Sequence, residues 1–323
     1  MKKIAVVGSS NIDMVAKVSH LPACGETVGN AEFSQCVGGK GMNQAIAAAR
    51  LGGDVTFVTS LGRDSYAMEL RRQLESEGIG TDYIIDTADR PTGTALIYVA
   101  GSGENCIAVA PGANYALEPE LIDRFERAIA EADTVVMQAE IPYDTIKHTA
   151  LRAHALGKRV ILNVAPACHM EAQVLETVDT LIVNEVEAGY VSGIAYDGTN
   201  IAAIGRRLLA CGVRNVVITL GSRGAYLYNG IAETLVPSFK VDPVDTVGAG
   251  DTFCAAIAVH TAGDYITAED LRFANAAGAI AVTRRGATPS IPTRAEVDAF
   301  LSQHNYSTPQ PQDHEKTEAT LCR

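Results

Sequence analysis

The chain has 323 residues, of which 47% are hydrophobic and 20% charged, which excludes an intrinsically disordered chain and leaves a globular protein long enough to bury a large core. Lys and Arg number 26 against 38 Asp and Glu, a net charge of −12. That balance argues against sequence-independent binding to nucleic acid or to an anionic membrane, but not against a small phosphorylated ligand held by local dipoles.

Residues 1–8 begin like a signal peptide. The apolar run stops at Ser9-Ser10-Asn11 with no cleavage site after it, so residues 4–7 read as a first buried strand. No run approaches the roughly 20 apolar residues of a membrane span. Further short runs at 55–59, 134–137, 160–162, 180–183 and 216–220 are apolar almost throughout, the pattern of strands covered on both faces. Between them lie segments with helical spacing: Tyr66, Leu70 and Leu74; Ile122, Phe125 and Ile129; Ile201, Ile204, Leu208 and Cys211. Four helical segments end at Gly52, Gly78, Gly157 and Gly212, each just before a strand. Strand, helix, glycine, strand, repeated, predicts an α/β fold with a mostly parallel sheet between two layers of helices.

Two stretches break the rhythm. Residues 12–37 hold Pro22, Gly25 and Gly29 and have no helical period, and residues 92–110 read as a hairpin with its turn at 101–105. Both are candidates for a small β cover over a ligand crevice; edge strands continuing the main sheet are the competing reading. From about residue 303 the chain turns polar, with Pro309 and Pro311, and a disordered tail is expected over 303–323 after one domain over 1–302. Cys24, Cys36, Cys106, Cys168, Cys211, Cys254 and Cys322 are odd in number and lack both Cys-x-x-Cys and zinc spacing. Reduced thiols in a cytoplasmic protein are expected, with a redox role as the alternative.

Five clusters carry chemistry. In Asp245-Thr246-Val247-Gly248-Ala249-Gly250-Asp251, a Gly-Ala-Gly turn leads into an apolar helix. Amides at such a helix start bind anions. Asp251 there fits either a simple N-cap or a base that accepts an alcohol's proton while the amides hold a transferring phosphoryl group. Gly38-Gly39-Lys40-Gly41-Met42-Asn43-Gln44 lacks Walker spacing; it fits a helix-start turn or close backbone approach to a polyol. Asn11 and Asp13 stand two apart at the expected carboxyl end of the first strand, without a dinucleotide glycine fingerprint. Asn184-Glu185-Val186-Glu187 offers groups for a hydrated magnesium ion, and Thr219-Leu220-Gly221-Ser222-Arg223-Gly224 offers a turn for a nucleotide. Each is weak alone; together, at the ends of buried strands, they point to one site.

These motifs, in this order and separation, resemble the ribokinase, or PfkB-type, sugar kinase family over about residues 3–301. The resemblance implies a three-layer α/β/α sandwich with a small β-sheet lid, and ATP-dependent phosphorylation of D-ribose at O5. The alternative is a related kinase for 2-deoxyribose, another sugar or a nucleoside. It implies sugar contacts from Asn11, Asp13, Gly39, Lys40, Gly41, Met42, Asn43 and Glu140, with Asp251 as base and Gly248, Ala249 and Gly250 as the anion hole. ATP would lie near Asn184, Thr219, Leu220, Gly221, Ser222, Arg223, Gly224, Gly250 and Asn275. Glu187 would reach Mg2+ through water. Asp245, Val247, Ala281, Arg284, Gly286 and Ser290 would hold K+, several through backbone carbonyls. Homodimerisation through the lid is also implied. Two positions depart from the family pattern: Met42 stands where members commonly have Ala, and Asn275 where some have His.

Overall fold

A computed structural model describes residues 1–304 of the chain. The strands are β1 (Lys3–Val7), β2 (Asn11–Val18), β3 (Glu32–Gly38), β4 (Asp54–Gly62), β5 (Ile84–Thr87), β6 (Gly93–Ala100), β7 (Asn105–Ala110), β8 (Thr134–Gln138), β9 (Arg159–Asn163), β10 (Thr180–Asn184), β11 (Asn215–Thr219), β12 (Ala225–Tyr228) and β13 (Glu233–Val236). Among the described residues they form a nine-stranded sheet, β13-β12-β11-β10-β9-β8-β1-β4-β5, and a separate four-stranded sheet, β3-β2-β6-β7. In the large sheet β12 alone runs against the others, pairing antiparallel with β11 on one side and β13 on the other.

The apolar runs are explained by burial on both faces. Ile4, Val6, Val136, Ile161, Ile182 and Val217 point into one core, with the helices Lys40–Arg50, Ala249–His260 and Ala268–Val282. Their neighbours Ala5, Val7, Val135, Met137, Leu162, Leu181 and Val216 point into a second core, with the helices Tyr143–Ala155 and Ile201–Leu209. A strand whose odd and even residues are both covered has no polar face to alternate with. Gly52, Gly78, Gly157 and Gly212 all adopt positive φ where the helices stop.

Strand order reverses beside β1. From there β4 and β5 lie to one side, and β8 through β11 to the other. Such a reversal leaves a crevice outside the carboxyl ends of the strands. β2 leaves β1 after only Gly8, Ser9 and Ser10, so the small sheet rises from that same end. The two irregular stretches therefore build a sheet of their own instead of extending the main one.

Several expectations need correction. Asn11 and Asp13 lie on β2 of the small sheet, because the chain starts a new strand three residues after β1. The helix expected through Ile122, Phe125 and Ile129 is two, Pro119–Arg124 and Glu126–Glu131, broken at Phe125, which packs edge-on against Tyr83. The helix after the first glycine motif begins at Lys40, inside the motif. The run at 216–220 ends as a strand at Thr219. β5, β12 and β13 have four residues each and gave no readable pattern. The tail expected from about 303 falls outside the described residues except at its start, where the helix Arg294–Gln303 ends.

Candidate active site

A cleft of about 330 Å³ opens at the crevice. Asn163, Asn184 and Thr219 bring it the ends of three neighbouring strands, and Glu140 follows β8. Asn11, Asp13, Ala95, Ile97, Ile107 and Val109 form its wall on the small sheet. Gly39, Lys40 and Asn43 enter from one helix start, and Thr246, Val247, Gly248, Gly250 and Asp251 from another.

The first glycine motif is set by steric contact with the β1–β2 junction. Gly39 has φ 91°, and a Cβ there would stand 2.8 Å from the Asn11 nitrogen. A Cβ on Gly41 would stand 2.5 Å from the Ser9 nitrogen. Larger residues would push the helix Lys40–Arg50 off the strand that carries Asn11 and Asp13. The Glu140 carboxylate accepts from Ser9 Oγ at 2.6 Å and from the Lys40 amide at 3.0 Å, tying this turn to the end of β8.

The second motif builds the other helix start. Gly248 caps the helix Ala249–His260 with φ 76° and no side-chain cap. Its carbonyl accepts from the Thr252 amide and hydroxyl, both at 2.9 Å. The Gly250 and Asp251 amides donate to no protein group among the described residues, and a Cβ on Gly250 would meet nothing within 4 Å. This is an open cradle of amides at the positive end of a helix dipole. The Asp251 carboxylate, largely buried, accepts from Asn43 Nδ2 at 3.0 Å and from Gln44 Nε2 at 3.1 Å.

The charges here act on one another. Burial, then the nearby Glu140 and Asp251 carboxylates, push the Asp13 carboxyl up to about 7. Asp251 and Glu140 hold the Lys40 ammonium above its usual range despite its burial. Burial raises the Glu187 carboxyl, although the Asn184 amide at 2.8 Å offsets part of that. Asn184 and Glu187 also form a capping box, so the helix Glu185–Ser192 begins at the cleft.

The remaining expected residues are placed less directly. Met42 is fully buried in the core and does not line the cleft, because the helix turns its side chain to the opposite face. Leu220 packs into the second core. Gly221, Ser222, Arg223 and Gly224 form a turn closed by the Leu220 amide on the Gly224 carbonyl, 2.8 Å. Arg223 is held by Glu185 and the Tyr196 hydroxyl. Asn275 donates to the Val236 and Pro237 carbonyls at the end of β13. Asp245 accepts from the Val247 amide at 3.0 Å and the Gly286 amide at 2.9 Å, joining two loops. Ala281 accepts the Arg284 amide, Ser290 Oγ donates to the Ala287 carbonyl, and the Arg284 guanidinium turns away to Glu296.

The family model "pfkB family carbohydrate kinase" matches residues 1–294. The chain belongs to that family. A ribokinase of Bacillus subtilis is 38% identical over 302 residues, covering 94% of this chain and 100% of the relative. A deoxyribokinase of Salmonella typhimurium is 34% identical over 303 residues, covering 93% and 98%. A bifunctional ribokinase/ribose-5-phosphate isomerase A of Fructilactobacillus sanfranciscensis is 38% identical over 306 residues; 94% of this chain matches it, and the chain spans 57% of that longer protein. A solved structure, Arabidopsis thaliana ribokinase complexed with ribose and ATP, superposes with a TM-score of 0.86 at 32% identity, covering 93% of this chain and 99% of that one.

Sequence reasoning missed part of this pfkB-family site. Gln44 and Gln138 sit behind Asp251, and Asn114 donates to Asn11 Oδ1 at 2.7 Å. Ile107 and Val109 line the cleft from a strand that read only as half of a hairpin. Gln44 lies within the first glycine motif, but the direction of its side chain depends on the helix starting as early as Lys40.

Proposed function

We propose that this pfkB-family carbohydrate kinase transfers the γ-phosphoryl group of ATP to O5 of D-ribose, giving ADP and ribose 5-phosphate. The observation that carries the reading is a buried carboxylate, Asp251, at the mouth of a cradle whose Gly250 and Asp251 amides have no protein partner among the described residues. Asp251 takes the O5 proton as O5 bonds to the γ-phosphorus and the bond from that phosphorus to the β-phosphate oxygen breaks. The Gly248 and Gly250 amides receive the migrating charge together with the Ala249 amide, whose contact with the Thr246 carbonyl is a long 3.4 Å. Asn11, Asp13, Lys40, Asn43 and Glu140 surround the sugar, with the Gly39-Lys40-Gly41 backbone beside it. ATP occupies the side of Asn184, Thr219 and the 220–224 turn.

Among the described residues no cluster of three or more His, Cys, Asp or Glu could cage a metal. Glu187, which lines the cleft beside Asn184, fits an Mg2+ ion brought in by the ATP phosphates and would reach it through water. The metal would supply further charge neutralisation. Asp245, set between two loops, fits a site in which it and the carbonyls of Val247, Ala281 and Gly286, with the 284–290 loop around them, hold K+ beside the cradle. The six cysteines among the described residues are free, which suits a reducing cytoplasmic setting. No helix among the described residues is long and apolar enough to cross a membrane. Residues 1–302 act as one catalytic domain with the small sheet as its lid, and two copies pair through that sheet.

The deoxyribokinase relative favours a second reading, in which 2-deoxyribose is the acceptor. An ADP-coupled assay over ribose, 2-deoxyribose, fructose and nucleosides separates them. Ribose is expected to give the highest kcat/KM, and a site built to bond the 2-hydroxyl should reject the deoxy sugar strongly. A preference for 2-deoxyribose overturns the first reading in favour of the second; absence of ADP with every sugar overturns both.

A further inference from the structure

The helix Lys40–Arg50 carries a second amide, next to Asn43, that the reaction just described does not use. Gln44 is fully buried. Its Nε2 donates to Asp251 Oδ1 and to Asn163 Oδ1, both at 3.1 Å, and its Oε1 accepts from Gln138 Nε2 at 2.7 Å. An ionised carboxylate only accepts, so Gln44 must show its nitrogen to Asp251. Its carbonyl then faces Gln138, which must show its own nitrogen in turn. This leaves Gln138 Oε1 buried without a partner. An orphaned acceptor costs stability, and a network that served packing alone would avoid it.

The other end of this chain of bonds is anchored in the main sheet. Gln138 and Asn163 end β8 and β9 as opposed register partners. Asn163 Nδ2 donates to the Ile182 carbonyl of β10 at 3.0 Å. Asp251, on a different helix, is thus tied through Gln44 to three adjacent strands.

We propose that Gln44 is a positioning residue for the base: it sets the plane of the Asp251 carboxylate, while Gln138 and Asn163 keep its amide the right way round. The proposal rests on Asp251 being the base. One donor, Asn43 on Oδ2, leaves a carboxylate free to pivot; a second donor on Oδ1 fixes it, so that a free lone pair points steadily at the sugar hydroxyl. Lys40, Asp13 and Glu187 also face Asp251, and Cys254 does so from its own helix; substitution at Gln44 leaves all four in place.

The test is Gln44→Met, which keeps the side chain's length and removes its polar atoms. At saturating sugar and ATP, kcat is expected to fall about tenfold, with the KM for ATP little changed. The KM for the sugar is expected to hold as well, because Gln44 does not line the cleft, so the loss falls on kcat alone. Gln44→Glu should also lower kcat, with both KM values again held, by placing a second carboxyl beside the first. Gln138→Met separates orientation from packing: it removes one orphaned acceptor but leaves Gln44 Oε1 unpaired in its place, so Tm should change little while kcat still falls, by less. A merely structural role would lower Tm and the active fraction while kcat per active site stayed at the wild-type value, and that result overturns the proposal, as does a wild-type kcat in folded Gln44→Met. Asp251→Asn runs alongside. If it is inactive while Gln44→Met is normal, the positioning role alone fails; if it turns over normally, the base assignment fails and takes the proposal with it.

Discussion

Asn43 Nδ2 donates to Asp251 Oδ2 at 3.0 Å, joining residues 208 positions apart. The bond brings the two glycine motifs together at one carboxylate. Replacing Asp251 by Asn removes the proton acceptor while keeping nearly the same shape. Turnover is expected to drop by at least about 100-fold, the usual range for a lost general base. ATP and ribose should still bind, as calorimetry on the variant would report. Turnover within a few-fold of wild type would remove Asp251 from the base role.

Asp13 gives a pH signature. Its ordinary value is 3.8, and in the folded chain it rises to about 7. Over that interval the folded state holds a proton that the unfolded state has released, so stability falls as pH climbs from about 4 through about 7. Asp13→Asn should flatten that part of the Tm–pH curve and give a higher Tm than wild type at pH 8 without ligands. The same variant should weaken sugar binding. Parallel Tm–pH curves for the two proteins would contradict the assignment.

Met42 is a core residue, fully buried beneath the first motif. Met42→Ala should cost about 2–5 kcal/mol in chemical denaturation, the range for truncating a buried Met. The ranking of sugars in the coupled assay should not change. A changed ranking with unchanged stability would return Met42 to the sugar site.

Asp245 holds the Val247 and Gly286 loops together through its two oxygens. Potassium should raise kcat over a bulky organic cation in the wild type. Asp245→Ala should lose that difference. An equal response to both cations in the wild type would argue against the cation site.

The small sheet leaves Phe33, Leu96 and Tyr98 exposed on the face opposite Asp13 and Ala95. Apolar side chains grouped this way are expected to be covered by a second copy. Sedimentation velocity should give a dimer for the wild type and a monomer for Leu96→Asp. A monomeric wild type at micromolar concentration would reject the pairing.

The parts legible in advance were those whose signal is local. Apolar runs at 4–7, 134–137 and 216–220 mark strands covered twice, the last ending at Thr219, since both parities are apolar and glycine closes the helices between them. The hairpin at 92–110 was readable because its turn residues are. The two glycine motifs stand out because glycine takes the positive φ of Gly39 and Gly248 without the steric cost of a Cβ.

The amino-acid sequence by itself therefore determined the α/β alternation, the places where helices stop and the two turns that carry the chemistry. Only the tertiary structure decided that Asn11 and Asp13 belong to the small sheet, that Met42 faces the core, and that Gln44 and Gln138 stand behind Asp251. Those outcomes depend on which helix face meets which strand end. Long-range packing sets that, through contacts such as Gly41 against Ser9 and Asn43 against Asp251, and no spacing along the chain encodes it.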